Sequence, residues 1–527
     1  MHTSSPESIM EQIPAIELTP KARETAVGLQ AARKFLQSLN ERGIRYCLWK
    51  SNIRQEEGMR GETDLDLLVD REHIALFRQV LQQHNIKLFH AAPGRQYPAV
   101  ENHLGFDEET GKLFHLHVHY QLVLGEQFVK NYRLPLEDYF LDSVQMRHGA
   151  KIPVPELEII ILSIRILLKY RDRDLLRDLL PFRSNGISAA FRKEIKWLLA
   201  QTSRERIEQT LAELSEFIPG DLILAFLDHT ATGRKAGLKL YFLRNRLRRT
   251  LSLFQRTNPL VAALHYFGEM WERRKFLRSA PITKMTLPAG GLTLALIGAD
   301  GAGKSTLCKA LTKWSSWKLD THVYYLGSKI PSKRSAFLYS VYRMARRGPR
   351  AVATVVGEKS FIGRPFVSLR DFFLYWHYYS LAQDRYQRYV AGMKKSMAGS
   401  VVIFDRYPLE VLDPKLGAGR MDGSRIQSML DERSGPVARK LAKAEKALYE
   451  KMRPPEYLVI LDVSPEVSFQ RKPDHDPEVL EAKSQLIAQL AALAESESKG
   501  LRSIHLNADL PYEEVFLQLR RNVWELL

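Results

Sequence analysis

"LALIGADGAGKSTL", residues 294–307, decides how the rest of the chain is read. Gly298-Ala299-Asp300-Gly301-Ala302-Gly303-Lys304-Ser305, followed by Thr306, meets every fixed position of G-x-x-x-x-G-K-[ST]. An apolar run, Leu292–Ile297, leads in, and a helical pattern, "STLCKALTKW", leads out. That strand–loop–helix context is the one in which this motif cradles a phosphate chain. The glycines let successive backbone N–H groups curl around phosphate oxygens, and the helix N-terminus adds a favourable dipole. Residues 298–306 are therefore expected to bind nucleotide, with Lys304 reaching the β- and γ-phosphates and Ser305 ligating Mg²⁺. ATP and Mg²⁺ are the expected cofactors.

Outward from the loop, "LPAGG" (287–291) is a Pro/Gly break just before the feeding strand. Beyond it, apolar runs at 292–297, 322–326, 400–404, 457–463 and 503–507 alternate with helical patterns. This alternation predicts a doubly wound parallel α/β sheet over 287–527. Residues 1–25 read as a flexible lead. Over 26–150, helical patterns mix with short strands such as "RYCLW", "DLDLLV" and "KLFHLHVHYQL", an α+β signature. Residues 151–286 form a helical middle region, with "PELEIIILSIRILLKYRDRDLLRDLL" and "RKEIKWLLAQTSRERIEQTLAELSEF" close to helical period.

A chain of 527 residues is too long for one hydrophobic core. Two distant cysteines, Cys47 and Cys308, argue for a reducing compartment without a disulfide framework. The N-terminus lacks an apolar signal core, and the longest apolar run, near Ile159–Leu168, carries Arg165 and is too short to span a bilayer. A cytoplasmic location is expected. Net charge is +18, and it is concentrated: 231–290 holds 13 basic against 2 acidic residues, and 311–360 holds 10 against 2. Such zones suit anionic ligands, nucleic acid or an anionic membrane surface, or are simply solvated.

The guanine-reading N-K-x-D of GTPases is absent. The best acid-terminated strand, "SVVIFDRYP", ends at Asp405 with Arg406 next. A carboxylate at a strand's C-terminal edge beside the loop can hold the Mg²⁺ shell, and an adjacent arginine can bind an accepting phosphate. The stretches "GADGAGKST", "SLAQDRYQRYVAGMKKSMAGSVVIFDRYP" and "PEYLVILDVSPEVSFQRK", in this order and spacing, resemble the thymidylate kinase family of P-loop kinases over about 290–527. The resemblance implies that Asp300 contacts the acceptor's sugar and Arg385 its base. It implies that Asp405 and Arg406 serve metal and acceptor phosphate. It further implies that Arg471 opens a mobile lid, whose cations screen the transferring group.

The chain also departs from that family. "YYLGSKIPSKRS" stands where the family has an Arg-Glu-Pro-Gly-Gly type segment, and an extra basic and aromatic stretch fills 331–380. Leu381 replaces the aromatic that stacks on thymine, and "PLEVLDPKLGAGRMDGSRI" follows Asp405-Arg406-Tyr407. The phosphate-transfer half of the pattern is intact and the thymine-reading half is not. Related sequences are associated with bacterial surface-polysaccharide gene clusters, which points toward a sugar or sugar-phosphate acceptor.

A second signal is "WKSNIRQEEGMRGETDLDLLV" (49–69). Asp64 and Asp66 alternate with apolar residues, so both carboxylates leave one face of a strand, where they can hold Mg²⁺ for nucleotidyl transfer. With Ser51 upstream, residues 40–125 resemble a divergent bacterial branch of the DNA polymerase β nucleotidyltransferase superfamily. In "FHLHVHYQL", Leu116, Val118 and Tyr120 are expected in the core and His115, His117 and His119 opposite. In the superfamily's register His117 stands where a third acid belongs. A degenerate binding domain and a His/Asp metal site are both open there. The basic amphipathic segments 240–256 and 258–278 suit either interdomain packing or a membrane surface.

The leading expectation is an ATP-dependent kinase acting on a nucleoside monophosphate or a related small acceptor. Alternatives are nucleotidyl transfer through Asp64 and Asp66, and an ATP-binding regulatory protein of polysaccharide biosynthesis. The expected partners are a small-molecule phosphate acceptor, an anionic membrane surface and a second copy of the chain; nucleic acid is not expected.

Overall fold

The computed structural model describes residues 27–126, 128–178, 187–231, 237–272, 282–356, 363–413, 423–431, 434–495 and 502–527. The expected lead at 1–25 lies outside these, as do 273–278 of the second basic segment and 414–422 of the segment after Asp405. Two compact units emerge: the described residues up to Lys87 with Tyr97–Glu269, and Leu88–Gln96 with Met270–Leu527. Among the described residues no helix is long and apolar enough to cross a membrane.

The first unit is built around strands β1 (Tyr46–Leu48), β2 (Asp64–Val69), β4 (Val100–Phe106) and β5 (Leu113–His119), in sheet order β1-β2-β5-β4; the short β3 (Lys87–Phe89) begins at the unit's boundary residue Lys87. β2 and β5 run parallel, while β1 and β4 are antiparallel to them. Alternation sends Leu116, Val118 and Tyr120 into a core with Leu65, Leu67 and Phe35. Two short hairpins follow, β6–β7 (Leu122–Leu124, Tyr132–Leu134) and β8–β9 (Val144–Arg147, Ala150–Pro153). Next comes the helix Pro155–Lys169, buried at every position from Pro155 to Leu168. A helix whose apolar residues fall on every face must be enclosed. Helices Ala189–Leu199, Arg204–Glu213, Gly220–Ala231 and Gly237–Thr250 enclose it. Its two buried acids are held by polar partners: both oxygens of Glu158 accept from Asn52, and Oε1 of Glu156 meets Thr202 and Arg206.

In the second unit, β10 (Leu292–Gly298), β11 (Thr321–Tyr325), β12 (Val401–Asp405), β13 (Tyr457–Asp462) and β14 (Arg502–Asn507) lie in the order β11-β12-β10-β13-β14. All pairings are parallel. Each strand falls within one residue of its expected bounds. β10 is buried at all seven positions, as a central parallel strand covered on both faces requires. β12 and β13 flank it, so the chain leaves β10 toward opposite sides of the sheet. The crevice at that switch point, beyond the strands' C-terminal ends, is where doubly wound folds bind ligands.

Candidate functional sites

The loop after β10 opens on this crevice. At Gly298 an added Cβ would lie 2.8 Å from the Leu461 carbonyl oxygen, so only glycine allows β10 and β13 to approach so closely. Gly303 has φ +82 and precedes the helix Lys304–Ser315, whose first turn has no side-chain cap. The Thr306 N–H bonds back to the Gly303 carbonyl at 3.0 Å, and the N–H groups ahead of it are placed to meet an anion. Ser305 and Thr306 are exposed on that first turn, while Ala299 and Ala302 are buried. Lys304, 8% exposed, donates to the Gly298 and Ala299 carbonyls at 2.8 and 2.6 Å. Burial pushes its ammonium down to about 8, with Arg406 and Lys483 adding to the effect.

Register places Asp405 opposite Leu296, one strand over from the loop. Arg406 follows with φ +63, a left-handed conformation unfavourable for arginine, and its guanidinium stands 3.7 Å from Asp300 within the loop. Lys483, from the helix Pro477–Glu495, holds the other oxygen of Asp300. Burial opposes ionisation of Asp300, but Lys483, Lys304 and Arg406 outweigh it and hold the carboxyl below its usual range. Cys308 is buried, and burial together with Asp405 pushes its thiol up to about 12. It is a core residue, not a nucleophile.

Arg471 closes the helix Pro465–Arg471 and donates to the Gly301 and Ala508 carbonyls at 3.3 and 2.8 Å. In the same helix the Ser468 hydroxyl donates to the Asp300 carbonyl. This helix is thus seated on the phosphate loop. Arg385, in the helix Gly363–Met397, is 3% exposed and donates to the hydroxyls of Tyr449 and Ser328. Ser328 comes from the departing segment "YYLGSKIPSKRS". The fold therefore brings Asp300, Lys304, Asp405, Arg406 and Arg471 to one crevice, and anchors Arg385 in the wall behind the 326–328 turn. Lys483 and Ser468 were not singled out in the sequence; they sit in amphipathic helices where each reads as an ordinary surface residue.

The first unit holds a second cluster. Parallel register sets Asp64 opposite His115 and Asp66 opposite His117. His115 Nδ1 is 2.8 Å from Asp64, and His117 Nδ1 is 2.8 Å from Asp66. His119 Nε2 lies 3.3 Å from His117 Nδ1, and its ring meets Trp49 edge-on at 5.0 Å. Lys50 pairs with Asp66. Burial holds His117 down to about 4 and His119 well below its usual value. Burial also pushes Lys130 down to about 7 and Lys169 to about 8, with Lys50 and Arg165 contributing. None of Lys130, Lys169 and Arg165 is visible as part of a site in the sequence.

Strand, glycine loop, helix and the acid–arginine step on the neighbouring strand define a P-loop α/β unit. No family model matches the chain. It is 24% identical over 239 residues to the "uncharacterized ATP-binding protein YghR" of Escherichia coli K12, covering 44% of this chain and 86% of that protein. To YghS of the same strain, which carries the same description, it is 26% identical over 234 residues, covering 42% and 88%. Among solved structures, deoxyadenosine kinase from M. mycoides with dCMP and dCDP bound aligns over 45% of this chain and all of that one, at 14% identity and a TM-score of 0.27.

Proposed function

We propose that the chain is an ATP-dependent phosphotransferase that phosphorylates a nucleoside monophosphate or a related small acceptor such as a sugar or sugar phosphate. The observation that carries this reading is the juxtaposition of two anion-binding elements across one crevice. The loop with Lys304 serves the donor, and Arg406, on the adjacent strand end and 3.7 Å from Asp300, serves the acceptor. The ATP-binding descriptions of YghR and YghS support the choice of donor.

In this reading the Lys304 ammonium exchanges the Gly298 and Ala299 carbonyls for phosphate oxygens. The bare first turn of the helix Lys304–Ser315 supplies N–H donors. Arg471 is poised beside Gly301 to screen the transferring group. Asp300, held ionised, orients the acceptor's hydroxyls and keeps Arg406 in place. Exposed Ser305 and the carboxylate of Asp405 are an oxygen pair suited to Mg²⁺, which neutralises phosphate charge when bound. The test is a metabolite extract incubated with γ-labelled ATP and the full chain, beside Lys304→Ala. Label in a new small molecule, with ADP, is expected. Pyrophosphate release instead would favour nucleotidyl transfer, and ATP binding without turnover would favour the regulatory reading.

We further propose that one helical face of the first unit meets an anionic membrane surface. Leu260, Leu264 and Phe267 line one face of the helix Pro259–Glu272 at 75, 72 and 67% exposure. Lys239 and Arg249 are exposed on the helix Gly237–Thr250. Apolar residues beside cations suit insertion into an anionic bilayer surface. Co-sedimentation with phosphatidylglycerol vesicles at low salt is expected, several-fold weaker for Leu264→Glu and absent with neutral vesicles. No binding at low salt, or a dimer that Leu264→Glu dissociates, would sink the membrane reading.

A further inference from the structure

We propose that Asp66, His117 and His119 form a site for one divalent transition-metal ion, independent of the phosphate loop. Strand alternation puts His117 and His119 on the same face of β5, and the parallel pairing with β2 sets Asp66 against His117. The resulting ligand atoms form a tight group. Asp66 Oδ1 and His117 Nδ1 are 2.8 Å apart, His117 Nδ1 and His119 Nε2 are 3.3 Å apart, and all three lie within 4.8 Å of one another. Donors that share one cation at about 2.1 Å stand about 2.8–3.4 Å from each other, so the two measured separations are those of neighbouring ligands on one ion.

The contact between the two imidazole nitrogens is otherwise awkward. A single proton on His117 Nδ1 has to be shared between a carboxylate and a second ring nitrogen. A cation accepts all three lone pairs and needs no shared proton. His119 is fully buried, and its Nδ1 has no hydrogen-bond partner. Of its two ring nitrogens, Nε2 is the one that faces the cluster.

The donor chemistry selects the ion. Two imidazoles and one carboxylate suit zinc, cobalt and their neighbours, whereas Mg²⁺ prefers an all-oxygen octahedron. Three protein ligands leave coordination positions open. Lys50, Lys130 and Lys169 all interact with the charge of Asp66, so a phosphoryl oxygen fits those positions better than a cationic or apolar ligand. Lys50 also opposes metal entry, because its ammonium pairs with the Asp66 oxygen that a metal would take.

That competition makes the test specific. The untagged full chain, stripped with chelator, is titrated with Co²⁺ and followed by visible d–d absorption, with and without inorganic phosphate. One saturable Co²⁺ per chain is expected, held more tightly when phosphate is present. Binding should weaken at least about tenfold in Asp66→Asn and in His119→Gln and tighten several-fold in Lys50→Met. Circular dichroism identifies the variants that remain folded, and His119→Gln retains polarity at the buried position should His119→Ala fail to fold. No saturable uptake by the wild-type chain, uptake that survives both folded ligand variants, or weaker uptake in Lys50→Met overturns the proposal.

Discussion

Lys304→Ala is expected to lower turnover by on the order of 10²–10³-fold while leaving the fold intact. The buried ammonium already sits on the loop, held by the Gly298 and Ala299 carbonyls. Moving it onto a triphosphate replaces two neutral acceptors by charged ones, a gain that grows as charge develops on the transferring group. The same lysine makes ATP affinity depend on pH. Free, it is held at about 8. A bound polyanion stabilises the ammonium and raises that value, so binding above pH 8 takes up a proton. Affinity should be level below about pH 7 and fall as pH rises through 8, by at most about tenfold per unit. Calorimetry in buffers of different ionisation enthalpy should detect the proton uptake, and Lys304→Ala should abolish both the uptake and the slope. A wild-type affinity that stayed flat from pH 7 to 9.5 would remove Lys304 from the phosphates.

How much of this could be read before folding depends on how local each signal is. The phosphate loop needs nine consecutive residues, and its strand and helix are adjacent to it, so it was legible. The strand ending at Asp405 was legible because a buried parallel strand is a continuous apolar run with one abrupt polar end. The face shared by His115, His117 and His119 followed from period-two alternation alone. Their pairing with Asp64 and Asp66 did not, because the parallel register of β2 and β5 is fixed only by the crossover between them. Lys483 lies 183 residues from Asp300 and carries no motif, so only the fold could bring it to the loop. Arg385 shows a different limit. Its position in "AQDRYQ" was clear, but its environment is set by Tyr449 and Ser328, on segments remote in sequence. Likewise, nothing in the sequence of the helix Pro155–Lys169 says that Glu158 reaches the backbone N–H and side-chain amide of Asn52 and fixes the turn after β1.

Arg406→Gly should separate activity from stability. Arginine at φ +63 is in the left-handed region, which costs a residue with a Cβ about 1–2 kcal/mol that glycine does not incur. The substitution also removes the ion pair with Asp300, but at 3.7 Å and with both side chains partly exposed that pair contributes little. Glycine's extra freedom in the unfolded chain takes back about 0.4–1 kcal/mol. The balance is near zero or slightly positive, so the thermal midpoint should hold or rise. Activity should not: without the guanidinium nothing on β12 neutralises the acceptor, and kcat/KM for the acceptor should fall on the order of 10²–10³-fold. Loss of rate without loss of stability is the mark of a strained residue retained for function. Arg406→Lys refines the point, because an ammonium keeps the charge but not the two-pronged geometry, and its rate should lie between the two. If Arg406→Gly instead melted several degrees lower, or kept its kcat/KM for an identified acceptor, Arg406 would belong to the architecture of the loop and the acceptor would be held elsewhere.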